Sequence, residues 1–232
     1  MNKISRLFSS TLLLCAALGL TTSCLSDNDN DNTDWERQQK ELEETFNRER
    51  NAIKGAYAGY VYHLDTENKV DSTEARWEMP TDTAFVLKGV PVSYLTAKVS
   101  ETSVRNLLLS VAETEVDITV KIQGYVRVSP LTFYVEPQPV TLHASQTVDG
   151  EVQQKEVSIT FYRTYADNGA LDASPYTYGA FNMQNGAFAV YLLPYCVREG
   201  NSVREYFERN AYLLWDGKRT GVSYGDDGIT GK

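Results

Sequence analysis

Between Val116 and Gln123 the chain alternates without a break. Val116, Ile118, Val120 and Ile122 are apolar, and Asp117, Thr119, Lys121 and Gln123 between them are polar. Successive side chains of a strand point to opposite faces, so this run has one face for a core and one for water. Parallel strands are covered on both sides and read as continuous apolar runs, so the pattern predicts an antiparallel sheet. The same period recurs from Tyr57, where Tyr60, Tyr62 and Leu64 alternate with Val61 and His63. It returns around Trp77 and Met79, over Thr83 to Lys88 with Gly89 as the stop, and over Leu131 to Val135 and Val140 to Ala144. Later strands are expected around Val157, Ile159 and Phe161, then Phe188, Val190 and Leu192, then Tyr212 to Trp215 and Thr220 to Tyr224. Asp149-Gly150 and Asp216-Gly217 each have the chemistry of a two-residue hairpin turn.

Helical spacing appears twice. Thr33-Asp34-Trp35-Glu36 fits a capping box with Thr33 as N-cap, and Trp35, Leu42, Phe46 and Ile53 form a narrow stripe behind it. This predicts an N-terminal helix lying on the domain and stopping at Gly55. Val104, Leu107, Leu108 and Val111 stand at i, i+3, i+4 and i+7, with Ser100 as N-cap, and predict an amphipathic helix of about three turns. Pro91 opens a short helical turn before it. The expected fold class is α+β, mostly β: an antiparallel sheet, sandwich or barrel-like, with an N-terminal helix and one mid-chain amphipathic helix.

The first residues read as an address. Lys3 and Arg6 precede an uncharged run, Leu7 to Leu20, that is too short to span a bilayer. Leu20-Thr21-Thr22-Ser23-Cys24 resembles a bacterial lipobox. That resemblance implies a lipoprotein signal peptide at 1–23 and lipid on Cys24, with the membrane as partner through that lipid. An acidic flexible tether at 24–34 then carries Asp27, Asp29, Asp31 and Asp34. Its alternating aspartates lack the Gly and Glu of a calcium loop, since Asn32 and Gln38 hold those places. Residues 35–232 are expected to form a single globular domain.

Composition narrows the function classes. The 42% hydrophobic content rules out a disordered chain, and three cysteines are too few for a disulfide-stapled scaffold. A net charge of -9 disfavours a nucleic-acid partner, and none is expected. Gly221-Val222-Ser223-Tyr224-Gly225 matches a nucleophile elbow. No acid-then-histidine series follows it, because the last histidine is His143. His63 and His143 have no metal-ligand spacing, and Cys196 in Leu192-Leu193-Pro194-Tyr195-Cys196-Val197 reads as a small buried hydrophobe. No catalytic residue, metal or cofactor is expected.

The 15 tyrosines are more informative. Tyr162, Tyr165, Tyr176 and Tyr178 border the long segment from Thr164 to Asn185. Loops on a rigid sheet carry function more often than strands do. Tyr165, Tyr176 and Tyr178 are therefore the candidate ligand-binding residues, for a glycan, a peptide or an envelope protein.

The lipobox-like segment and acidic tether, the Trp-containing first helix, Gly55-Ala56-Tyr57-Ala58-Gly59 and Gly89-Val90-Pro91-Val92 together resemble a Bacteroidota-type outer-membrane or surface lipoprotein family with a domain of unknown function. The resemblance implies one domain lipid-anchored on the outer membrane, at the cell surface, and supplies no catalytic residues. A non-catalytic binding or structural module is the expected function. The alternative is a surface hydrolase using a carboxylate pair that the sequence does not single out.

Overall fold

The computed structural model describes residues 31–65, 67–96, 99, 102–128, 130–163, 177–200, 205–208, 211–225 and 228–230. The signal segment, Cys24, Ser100, Tyr165 and Tyr176 lie outside the described residues. The chain divides into two compact units, Met1–Lys40 and Glu41–Lys232.

Helix α1 runs over Asp31–Ala52, starting ahead of the expected cap Thr33 and taking in the end of the predicted flexible tether. Asp34 near its start fits this end of the helix, because a carboxylate stabilises the positive end of a helix. Within the first unit, Asp34 and Arg37 form an exposed ion pair at 3.0 Å, and Trp35 is 62% exposed. In the second unit the predicted stripe is only half buried. Leu42 is 61% exposed, whereas Ile53 is fully buried and Phe46 packs on the core. Phe46 meets the Tyr125 ring edge-on at 6.1 Å, and Arg50 Nε lies 2.6 Å from Asp82 Oδ2. The Tyr125 hydroxyl donates to the Asp82 carbonyl at 2.6 Å, so this end of α1 is tied to the sheet by rings and charges together.

The second unit is mostly β. Its strands are β1 Gly55–Leu64, β2 Val70–Met79, β3 Ala84–Pro91, β4 Glu115–Val126, β5 Leu131–Pro137, β6 Val140–Val148 and β7 Glu151–Phe161. They continue with β8 Tyr178–Phe181, β9 Ala187–Leu192, β10 Pro194–Glu199, β11 Glu205–Tyr206, β12 Leu213–Arg219, β13 Ser223–Gly225 and β14 Gly228–Thr230. Two helices, α2 Val92–Thr96 and α3 Thr102–Leu109, lie between β3 and β4. Eight strands close into an antiparallel barrel in the order β1-β12-β9-β8-β5-β4-β3-β2. Around the barrel, neighbours follow one another along the chain, so it is an up-and-down meander. Two excursions interrupt it: β6 and β7 leave after β5, and β10 and β11 leave after β9. These pair with one another as a second sheet, β11-β10-β7-β6. Val104, Leu107 and Leu108 of α3 are buried in the same core, and α3 contacts β6, β7 and β10.

Alternation explains the barrel's filling. Tyr57, Trp77, Phe85, Phe133, Phe181 and Phe188 are all buried at inward positions of six strands. Their rings touch in sequence: Tyr57 stacks on Trp77 at 5.7 Å, and Phe188 lies 5.9 Å from Phe85 and 5.7 Å from Phe133. Eight strands enclose a lumen just wide enough for side chains or one small ligand. Here aromatic side chains fill it. Outward positions carry Glu74, Arg76, Glu78, Asp117, Thr119 and Lys121, all exposed. An apolar inside and a charged outside is the reverse of a membrane-spanning barrel. Among the described residues no helix is long and apolar enough to cross a membrane.

Three local expectations need correction. Gly89 does not end its strand: β3 continues to Pro91 through a register shift between Leu87 and Val90, with Gly89 at φ 65° and its N–H donating to Asp117 Oδ1 at 3.0 Å. The positive φ lets the strand kink and resume instead of turning back. Asp216-Gly217 is not a hairpin but lies inside β12, where Gly217 faces Gly59 of β1. The Trp77 indole covers Gly217, so a close strand approach, not a turn, requires the glycine. Finally, Tyr178 is in β8 and not in a loop. Asp149-Gly150 is the expected hairpin, with both φ values positive (52° and 84°) and Val148 opposite Glu151.

Candidate functional site

Aromatic side chains fill the lumen, and on the second sheet three tyrosines come together. Tyr162 follows the end of β7, Tyr195 is in β10 and Tyr206 is in the two-residue edge strand β11. A register shift between Pro194 and Cys196 sets Tyr195 at an irregularity opposite β7. Tyr162 meets Tyr195 edge-to-face with centroids 4.7 Å apart, and Tyr195 meets Tyr206 in the same way at 5.3 Å. The three form a ladder from the end of β7 across β10 to β11. Edge-to-face rings hold one another rigidly, and each such pair contributes about 1 kcal/mol beyond its burial. A hydrogen bond to Tyr206 pushes the Tyr195 phenol above its ordinary range. Tyr206 remains 53% exposed, so the ladder ends in an open aromatic face. A flat face of this kind stacks against the C–H face of a sugar or against another ring.

The predicted cluster divides. Tyr162 belongs to the ladder. Tyr178, half-buried, stands opposite Tyr134 on the barrel wall, in the other sheet. Sequence reasoning missed Tyr195 and Tyr206 because strand pairing, not spacing, brings them to Tyr162. The one local signal was the tyrosine-rich run at Tyr191 and Tyr195 beside an expected strand.

The remaining candidates are also placed. His143 is exposed on β6, whereas His63 is 6% exposed on β1, so the two histidines occupy different sheets. Among the described residues no three His, Cys, Asp or Glu side chains gather as metal ligands. Cys196 is buried, its Sγ 3.1 Å from Thr160 Oγ1. Ser223 lies in the small β13–β14 hairpin, without the helix that an elbow needs.

His63 stacks on Tyr94 at 3.7 Å, and its Nε2 lies 3.9 Å from Asp71 Oδ2. Burial holds its pKa below the ordinary 6.5, against the raising effects of the Leu64 backbone, Asp71 and Asp65. In the unfolded chain histidine therefore takes its proton first as the pH falls. Stability from this residue is fully present above pH 6.5 and is lost progressively below it, until the folded pKa is passed. Denaturant midpoints measured across this range should slope in the native chain, and His63→Phe should flatten the slope while keeping the stack. Equal slopes would refute the role of His63.

A family described as a domain of unknown function (DUF4840) matches residues 52–194. No curated protein matches the chain, and no solved structure does.

Proposed function

The chain belongs to the DUF4840 family, and on that premise we propose that it is a lipid-anchored envelope lipoprotein whose barrel domain is a non-catalytic binding module for surface glycans. The observation that carries this reading is a lumen occupied by aromatic side chains beside an exposed tyrosine ladder. Binding is thereby moved from the inside of the barrel to its second sheet. The lipobox-like Leu20 to Cys24 and the aspartates after it support attachment through lipid on Cys24, on the cell-surface side of the outer membrane. An outward barrel face rich in charge fits a domain that stands in water and depends on lipid for its anchor.

One observation favours the alternative of a surface hydrolase. Burial raises the pKa of the Asp216 carboxyl, as a general acid requires. Such an enzyme also needs a second carboxylate about 5–10 Å away across a cleft. Asp216 is instead on the outward side of the barrel wall, which weighs towards binding.

The test has two arms. Cells fed a labelled fatty acid are expected to mark the native chain and not Cys24→Ala. On a glycan array, the full chain is expected to bind a subset of polysaccharides, and Tyr206→Ala to weaken binding about tenfold. An array on which no glycan is retained refutes the glycan reading, and retention of a peptide or envelope protein instead reassigns the ladder.

A further inference from the structure

Asp216 is an anomaly in the barrel. Aspartate is depleted in strands, yet it occupies the middle of β12, half-buried on the outward face. Places where local rules fail are where function is expected to have imposed a cost. Its register partner on β1 is Tyr60, and the partner of Tyr60 on β2 is Glu74. Adjacent strands are about 4.8 Å apart, so this row sets a carboxylate on each side of an aromatic ring. Tyr62 is next on the same face of β1, its ring 6.2 Å from that of Tyr60 and tilted by 48°. Tyr60 is 45% exposed. Among the described residues no hydrogen bond and no close ion pair engages the Asp216 carboxylate; Lys218, two positions along the same face of β12, acts on it only as a nearby charge that lowers its pKa against the larger effect of burial. Burial raises the Tyr62 phenol most, and Asp216 raises it further, so the two groups share one local field.

A half-buried carboxylate whose nearest positive charge makes no direct contact costs free energy that a cation seated against it would recover. Tyrosine faces add attraction for the same charge, because the ring quadrupole is negative over the face. We propose that Tyr60, Tyr62, Asp216 and Glu74 form a binding site for an alkylammonium group. The ammonium sits against the two rings, between the carboxylates. A neutral sugar would use the rings but leave Asp216 unpaired, and an anion would be repelled by both carboxylates. One row further along, about 7 Å away, stand Arg76 and Lys218 on either side of Ala58. They repel a second positive charge, so the site favours a single compact cation over a polycation lying along the strands. This site is on the barrel wall, separate from the tyrosine ladder.

The experiment uses the full chain with isotope-labelled tyrosine rings, followed by NMR. It is titrated with choline, with N-acetyl-lysine methylamide and with the neutral carbon isostere of choline. The Tyr60 and Tyr62 ring signals are expected to move with the cations and not with the neutral isostere. Asp216→Asn should weaken the response about tenfold, and Glu74→Gln by less. Tyr206→Ala should leave it unchanged. The stronger of the two cations distinguishes a small quaternary ligand from a lysine side chain. An equal response in Asp216→Asn, an equal response to the isostere, or unmoved rings at saturating cation each overturn the proposal. A thermal melt of each variant verifies that it is folded.

Discussion

Gly217→Ala is expected to cost about 3 kcal/mol or more. The reason lies in the seam where the first and last barrel strands meet. Gly59 and Gly217 face each other across β1 and β12. A Cβ on Gly217 would collide with the Ala58 carbonyl oxygen, fall 2.9 Å from the Ala58 carbonyl carbon and lie 2.6 Å from Trp77 Cη2. Two of these atoms are backbone, so no rotamer change relieves the clash. Either β1 shifts away and opens the seam, or Trp77 leaves its place against Tyr57 and Phe188. Gly124→Ala on β4 is the control, since a Cβ there meets nothing within 4 Å. It should be neutral or slightly stabilising, because alanine lowers the entropy of the unfolded chain. Denaturant unfolding of the pair measures the difference, and similar midpoints would mean that the seam is not closed as described.

Phe188→Ala is expected to cost about 4 kcal/mol. Phe188 is the hub of the lumen, with ring centroids 4.8 Å from Tyr57, 5.6 Å from Trp77, 5.9 Å from Phe85 and 5.7 Å from Phe133. Truncation removes four aromatic contacts at once. The cavity would be ringed by large side chains held on separate strands, and these cannot collapse into it without bending the wall. For a domain of this size the loss corresponds to a fall in Tm of about 12 °C. Phe188→Leu keeps most of the volume and should lose less than half as much. Equal melting of the two variants would indicate a loosely filled lumen.

Most strands were legible because a half-buried strand shows its period in any window of a few residues. Val116 to Ile122 and Phe188 to Leu192 are examples. Asp149-Gly150 was legible for the same reason: a two-residue turn is a local device with local chemistry. Asp216-Gly217 has the same chemistry and a different outcome. Its glycine answers to Trp77 and to the opposite strand, 158 positions earlier at Gly59, and no window of sequence contains both. Leu42 shows the converse limit. It shares a helical stripe with Phe46 and Ile53, but the core ends before it is reached. The tyrosine ladder was half legible: Tyr162 stood out beside a long segment, while Tyr195 and Tyr206 joined it through the β7–β10–β11 pairing.

By itself the sequence determined the antiparallel β class, the two helices and the absence of a recognisable catalytic motif. Each depends on chemistry within a few neighbouring residues. Only the tertiary structure decided that the sheet closes into a barrel, that aromatic rings fill it, and that two hairpin excursions build a second sheet. It also set the tyrosine ladder and the Tyr60–Asp216 face. These depend on which strand edges meet, and edge pairing is settled by the summed burial of residues far apart in the chain.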